Sequence, residues 1–494
     1  MMAQGQETNQ IDKIERQLKD MQENFEKQQR EMKESFERLI QQQQEQIEAL
    51  KKQLAQATNV VAGATATNQP STQPSDAERQ RLQQELAAKL GANAAPSAAP
   101  PPAPAPATAW SPTQPITIGR AGQAYMNISF DVLMDVGSST AHDPSAELQL
   151  GDHDPISRGF SLRNAEIALD GAVDPYFKGF GNIVLKLDKD NETSIELEEA
   201  YLVSSSLPAN LQLKAGQFFA NFGRQNSQHP HQWAFVDEPL ILTRTFGPDG
   251  LRNVGAQVSW LAPTPFFTEV SLGVMNGEGS TAFSFRNLGD NVMGTNRFHG
   301  RATLDRTLSG AGDLLYVPRI SSSFDLTDQQ TIVLGISGAF GPNDTESDAR
   351  TEIGGVDLYW KWKAANSQAG FPFVSWQTEA LIQRFEAGAD PTVGLPSETL
   401  RDWGFYSQVL WGFTQRWVAG LRGEYVNGNE GLDDPNDVFR GERTRVSPNL
   451  TFYPSEFSKL RLQYNYDHGE RFGTDHSIWL QMEFLLGAHG AHKF

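Results

Sequence analysis

Beyond Trp110 the chain is built from segments of about ten residues in which apolar and polar side chains alternate, and that period of two most limits its fold. In the last segment Ile478, Leu480, Met482 and Phe484 face one way and Ser477, Gln481 and Glu483 the other, with Trp479 as the apolar intruder. Leu460, Leu462, Tyr464 and Tyr466 oppose Arg461, Gln463, Asn465 and Asp467 in the same manner. Val374, Trp376, Thr378, Ala380 and Ile382 likewise oppose Ser375, Gln377, Glu379 and Gln383. Sixteen such segments can be read, near 123–135, 160–170, 177–187, 195–205, 211–219, 254–261, 266–276, 314–324, 331–340, 351–362, 373–385, 403–412, 417–425, 444–453, 460–466 and 475–485. Short connections at 171–176, 207–210, 263–265, 326–330, 414–416 and 454–458 interleave with long ones at 137–158, 223–253, 277–309, 387–402 and 426–443. An even strand number with turns at one end and loops at the other is the pattern of a closed transmembrane barrel, in which closure satisfies every backbone group. Strands of this number enclose a lumen wide enough for water. Glu199 falls in phase with Ile195 and Leu197, which predicts a bulge in that strand.

Composition narrows the alternatives. No run approaches the roughly 18 apolar residues of a membrane-spanning helix. There is no cysteine, so disulfides, thiolate metal sites and cysteine nucleophiles are excluded. The net charge of -19, almost all of it beyond residue 110, argues against nucleic acid as a partner. Met1 to Gln6 carries neither a basic nor an apolar leader region, and the composition of the rest favours an exported chain whose leader has been trimmed.

Residues 1–55 have a different period. Ile11, Ile14, Leu18, Met21, Phe25 and Met32 follow a 3,4 spacing, and Phe36, Ile40, Ile47, Leu50 and Leu54 continue it in a second phase after one stutter. This predicts a self-associating α-helical coiled coil. Residues 56–115 turn to Ala, Pro, Thr, Gln and Ser, which predicts an extended linker interrupted by a short helix over 76–90 with Ser75 as its N-cap. The expected architecture is therefore an all-β transmembrane barrel of about 16 antiparallel strands over 116–494, preceded by a coiled coil and a Pro/Ala-rich linker.

Four stretches carry a family resemblance: Phe222-Gly223-Arg224-Gln225-Asn226, His229-Pro230-His231-Gln232-Trp233, Phe235-Val236-Asp237-Glu238-Pro239-Leu240, and the ending from Leu486-Gly487-Ala488 to His489, His492 and Phe494. Over 110–494 the chain resembles the Gram-negative outer-membrane porins of the phosphate-selective O/P type and a related porin-like family, sometimes named TonB-dependent receptors. The resemblance implies a sixteen-strand barrel, a homotrimer, outer-membrane lipid as surroundings and a periplasmic N-terminal region. No plug domain or TonB box is evident, so energy-coupled uptake is not implied.

With that orientation, 223–253 is the third long loop, the one expected to fold inward and narrow the pore. Arg224, His229, His231, Asp237, Glu238, Arg244 and Arg252, with Asp249, would place opposed charges across the constriction; the plainer alternative is an ordinary surface loop. Alternation places Arg163, Glu166, Lys186, Lys214, Asp357, Lys361, Glu379, Arg422, Glu424, Arg461 and Glu483 on the lumen side. Acids share that lumen with the bases, so no pure arginine ladder for phosphate is evident. His229 and His231, like His489 and His492, invite a zinc reading, but Pro230 leaves their geometry open, and polar packing is preferred, with no metal or cofactor expected. Asp188 to Glu192 lacks the glycine and the twelfth-position acid of a calcium loop. No nucleophile elbow or HExxH is present, so no enzyme is expected. Three readings follow: a diffusion channel for small hydrophilic solutes or ions, a tether from outer membrane to cell wall with peptidoglycan as candidate partner of the N-terminal region, and a channel specific for phosphate-like anions or metal complexes.

Overall fold

The computed structural model describes residues 115–433, 437 and 439–487. The expected coiled coil, its linker, the helix at 76–90 and the C-terminal His489, His492 and Phe494 lie outside the described residues.

Among the described residues seventeen strands join one sheet, and sixteen of them are the staves of a closed antiparallel barrel. They are β1 (Ala124–Ser139), β2 (Gly159–Ala172), β3 (Phe177–Leu187), β4 (Thr193–Ser204), β5 (Leu211–Phe219), β6 (Arg252–Leu261), β7 (Phe267–Met275), β8 (Leu315–Thr327), β9 (Gln330–Pro342), β10 (Arg350–Gln368), β11 (Phe371–Ala387), β12 (Glu398–Thr414), β13 (Trp417–Gly428), β14 (Arg443–Ser455), β15 (Ser458–Gly469) and β16 (Gly473–Leu486). Each segment read from alternation is one stave. The ring closes where β16 pairs with β1, with Leu480 opposite Val136 and Phe484 opposite Val132. The seventeenth strand, Ile116–Ala121, was not anticipated. It folds back on β1 with Ile116 opposite Ile128, and so continues the edge that β16 leaves at Phe130.

Turns and loops segregate by end. One end carries the connections 173–176, 205–210, 262–266, 328–329, 369–370, 415–416 and 456–457. At the β10–β11 turn Ala369 and Gly370 have φ of 49° and 88°, the left-handed pair that a two-residue hairpin loop needs. The other end carries L1 (140–158), L2 (188–192), L3 (220–251), L4 (276–314), L5 (343–349), L6 (388–397), L7 (429–442) and L8 (470–472).

Alternation sorts the side chains by face. On β15 Leu460, Leu462, Tyr464 and Tyr466 are exposed, while Lys459, Arg461, Gln463, Asn465 and Asp467 are buried. The same inversion of a soluble protein's burial recurs on β16, where Ile478, Leu480 and Phe484 point out and Asp475, Ser477 and Gln481 point in. Such a barrel suits a hydrocarbon surround and a polar interior. Trp479 also points in, as its phase requires. Among the described residues no helix is long and apolar enough to cross a membrane.

An apolar core nevertheless forms inside the barrel. Leu240, Ile241, Leu242 and Phe246 of L3 pack with Phe218, Phe222, Leu251, Phe285 of L4 and wall residues Leu315, Val317, Ile353, Leu381 and Tyr406. Burial of each such side chain is worth roughly 1.5–3 kcal/mol, so this cluster holds L3 in the lumen.

The inward loop and its grip on the barrel wall

L3 leaves the wall at Gly223, whose φ of 60° is left-handed and whose Cβ, if present, would run into the Glu379 carboxylate. Only glycine suits both constraints. The Gly223 amide donates to Ser337 Oγ on β9 (3.0 Å), and Glu379 Oε1 on β11 accepts from the amides of Arg224 (3.1 Å) and Gln225 (2.7 Å). The Arg224 guanidinium lies 4.0 Å over the Tyr359 ring and reaches Gln377. The loop's base is closed by Asn226, which donates to the Ala220 and Leu251 carbonyls and accepts from the Leu251 amide.

The next stretch runs into an acidic sector of the wall. On β4 the register slips, since Asn182 pairs with Glu199 and Ile183 with Leu197, so Glu198 is the extra residue. This is the expected bulge. It turns two consecutive glutamates, Glu198 and Glu199, to the inside, where both are buried. His229 sits between them, with Nδ1 2.8 Å from Glu198 Oε2 and Nε2 3.0 Å from Glu199 Oε2. Burial would lower the His229 pKa, but Glu198, Glu199 and Glu166 outweigh it and hold the imidazole well above its ordinary value. The His231 ring stacks on His229 with centroids 5.7 Å apart, and its Nδ1 is 3.3 Å from Glu166 Oε2.

From His231 to Leu240 the loop lies on a basic sector built from β13, β14 and β15. Lys459 donates to the His231 carbonyl (2.5 Å), and Arg461 to the carbonyls of Trp233 (2.7 Å) and Phe235 (3.1 Å). Asn449 donates to the Ala234 carbonyl and Gln463 Oε1 accepts from the Val236 amide. Asp237 then anchors the stretch against Arg422 and against Arg445 at 3.2 Å, and accepts from Gln463 and Asn465. Burial works to raise the Asp237 pKa, but the Arg445 and Arg422 guanidiniums pull it down to about 2. Arg445 also donates to the Glu238 carbonyl (2.6 Å), and Glu424 accepts from the Leu240 amide (2.7 Å). The Glu238 amide meets Asp154 of L1. Burial, and then the neighbouring Asp237 charge, push the Asp154 carboxyl up to about 6; burial, with Asp154 beside it, holds Glu238 well above the carboxylate range.

The helix Leu240–Phe246 follows Pro239 and stops at Gly247, whose φ is 75°. Thr243 and Thr245 return their hydroxyls to helix carbonyls, which lets every residue of the helix be buried. Its one charge, Arg244, reaches Asp402 on β12 (3.4 Å), Gln149 of L1 (3.3 Å) and the Phe439 carbonyl of L7.

The charges singled out in the sequence therefore divide by sector. Arg224, Arg244 and Arg252 reach three different parts of the wall. Arg252 is the first residue of β6 and pairs with Glu196, with Asp249 at 4.0 Å. Lys186 meets Asp152 of L1 and Glu196. Arg163 sits where β2 shifts register and donates to the Asp152 and Leu187 carbonyls. Lys214 lies over the Tyr201 and Phe218 rings at 4.5 and 4.9 Å. Asp357 takes a two-pronged contact from Arg319 (2.6 and 3.0 Å), and Glu424 pairs with Arg422 and Arg445. Glu483 pairs with Lys459, and Lys361 is exposed near the turn end. Sequence reading missed Arg319, Arg445 and Lys459, although each sits in phase with inward residues of its own strand.

Comparison with known proteins gives a relative of substantial identity. A protein of Aquifex aeolicus (strain VF5), described as uncharacterized, is 33% identical over 357 residues, 68% of this chain and 70% of the relative. The chain belongs to the family of that protein. No family model matches. Solved structures similar to the chain include the outer membrane channel DcaP of Acinetobacter baumannii, 13% identical over 74% of this chain and 99% of that one, with a TM-score of 0.49. Another is an anion-selective porin from Comamonas acidovorans, 8% identical over 74% and 100%, with a TM-score of 0.46.

Proposed function

We propose that the chain is an outer-membrane porin that passes small hydrophilic solutes or ions by diffusion, with L3 setting which ones enter. The observation that carries this reading is a closed sixteen-stave barrel, apolar outside and charged inside, crossed by a loop fastened to opposite charge on its two flanks. A transverse arrangement of acid and base selects solutes by dipole as well as net charge. Homotrimer formation and a periplasmic N-terminal region belong to the same proposal.

Strict selectivity for phosphate-like anions is less favoured, because lumen arginines are matched by acids: Arg319 with Asp357, Arg422 with Asp237 and Arg443 with Asp467. The test is single-channel conductance of the purified protein in planar bilayers, with reversal potentials under a salt gradient. Triplet steps of weakly selective current are expected. Strong anion selectivity that phosphate blocks would replace diffusion with a specific site. A folded barrel that passes no current would overturn the channel reading and favour the cell-wall tether, which peptidoglycan capture by residues 1–110 would then test.

A further inference from the structure

We propose that the acidic sector where L3 meets β1, β2 and β4 binds a divalent transition-metal ion, with Glu166 as the central ligand between His229 and His231. Two three-residue sets converge there. One ligand atom each from Glu166, Glu198 and His229 lie within 4.8 Å of one another, and the same holds for Asp131, Glu166 and His231. The two sets share Glu166. Its Oε2 is 3.3 Å from His231 Nδ1 and 3.9 Å from His229 Nδ1. Ligand atoms around a tetrahedral ion at ~2.1 Å stand roughly 3.4 Å apart, so these separations need only tenths of an ångström of adjustment.

Asp131 supplies an independent observation. It is 0% exposed and neither carboxylate oxygen has a hydrogen-bond donor. A carboxylate shut away from water without a donor is costly, and an ion beside it removes that cost. Charge points the same way. Asp131, Glu166, Glu198 and Glu199 outnumber the three imidazoles His153, His229 and His231, of which His153 of L1 stands 3.5 Å from Glu198, and the neighbouring Lys459 is committed to Glu483.

The surroundings have the form that orients metal ligands. His229 turns its Nδ1 toward the pocket while its Nε2 faces Glu199 at 3.0 Å, a carboxylate–imidazole pair of the kind that fixes the ring behind a metal. Asn164 donates to Glu166 Oε1 (2.8 Å), whereas the Asn182 amide nitrogen lies 2.6 Å from Glu198 Oε2, 3.1 Å from His229 Nδ1 and 3.3 Å from Glu166 Oε2, so an ion held by these three takes the place this amide fills and the amide must swing aside. A mixed imidazole and carboxylate set suits zinc, iron, cobalt or manganese rather than calcium or magnesium. The β4 bulge is what makes the set possible, because it brings Glu198 and Glu199 to the same side.

The test uses the full chain in detergent, stripped with EDTA and titrated calorimetrically with zinc chloride, with cobalt chloride as a spectroscopic probe. Expected are at least one zinc ion per chain at low-micromolar affinity or tighter, and visible Co2+ absorption. Glu166→Gln with His231→Ala should abolish the tight phase, Glu199→Gln should weaken it roughly 10–100-fold, and His476→Ala should leave it unchanged. Zinc-edge anomalous diffraction from the unmutated protein keeps the proposal testable if those variants do not fold: a peak beside Glu166 supports it. Absence of tight binding, binding that survives Glu166→Gln with His231→Ala, or a peak only elsewhere would overturn it.

Discussion

The two flanks of L3 are held by opposite chemistry. On the β13–β15 side, guanidiniums and amides from the wall take up loop carbonyls, and Asp237 neutralises Arg422 and Arg445. On the β1–β4 side the wall offers carboxylates and the loop offers two histidines. The basic flank pairs Arg422, Arg445 and Lys459 with Asp237, Glu424 and Glu483 and gives Arg461 to loop carbonyls, whereas the acidic flank sets Asp131, Glu166, Glu198 and Glu199 against three imidazoles. A loop inside a barrel has little water for its polar backbone groups, so the wall must replace that water residue by residue. The basic flank does this with fixed charges, and the acidic flank leaves negative charge for something exchangeable.

The strongest way to break this contrast is Asp237→Ala. It leaves Glu424 as the one carboxylate shared by the buried Arg422 and Arg445, so one of the two charges is uncompensated, a change that costs about 3–5 kcal/mol. Thermal unfolding in detergent should move to lower temperature, and single-channel current should become larger and noisier as L3 loosens. An unchanged midpoint with unchanged current would mean that the basic flank does not hold the loop.

A second contrast separates inside from outside within two adjacent residues. Arg422 is buried in the lumen and Leu421 is 55% exposed on the outer face. Leu421→Arg should destabilise the barrel in lipid by about 2–4 kcal/mol if that face meets the hydrocarbon midplane. Folding yield into lipid vesicles measures it; yields equal to those of the unmutated chain would place Leu421 away from lipid.

Acid should loosen the basic flank. The folded Asp237 carboxyl titrates at about 2, below an unfolded value of ~3.9, so its stabilisation is present above pH ~4 and is lost as pH falls through about 2. A shift of that size is worth about 2–3 kcal/mol. Unfolding midpoints measured from pH 5 to 2 should therefore fall, and Asp237→Asn should lack that part of the fall. Equal slopes for the two proteins would remove Asp237 from the account.

These contrasts also mark what the sequence could and could not say. The staves were legible because the barrel forces each strand to be apolar on alternate residues, as Leu460 to Asp467 illustrate. The Glu198–Glu199 bulge was legible too, since Glu199 puts a charge in the apolar phase set by Ile195 and Leu197. Phase would equally have found Arg319, Arg445 and Lys459. The partners of each lumen charge were not legible: Arg422 meets Asp237, and His231 meets Glu166, only because the ring brings distant segments together. The helix Leu240–Phe246 was hidden for a related reason, since it spans seven residues and buries Thr243, Arg244 and Thr245 along with its apolar side chains, which leaves no amphipathic period to read. The strand Ile116–Ala121 is too short to show alternation and is held by its register on β1.

The mildest test lies where L3 departs from the wall, on the side of neither charged flank. Ser337 Oγ accepts from the Gly223 amide and receives Arg319, which keeps its two contacts to Asp357 if the hydroxyl is removed. Ser337→Ala thus orphans one buried N–H at a turn that is otherwise fixed by Glu379, and the cost should be on the order of 1 kcal/mol. The midpoint should fall slightly and the current should stay as it was, because the two flanks still hold the loop's middle. A change in current as large as that of Asp237→Ala would instead locate the loop's control at its Gly223 hinge, and the opposition of acidic and basic flanks would then be a consequence of lumen polarity rather than the device that positions L3.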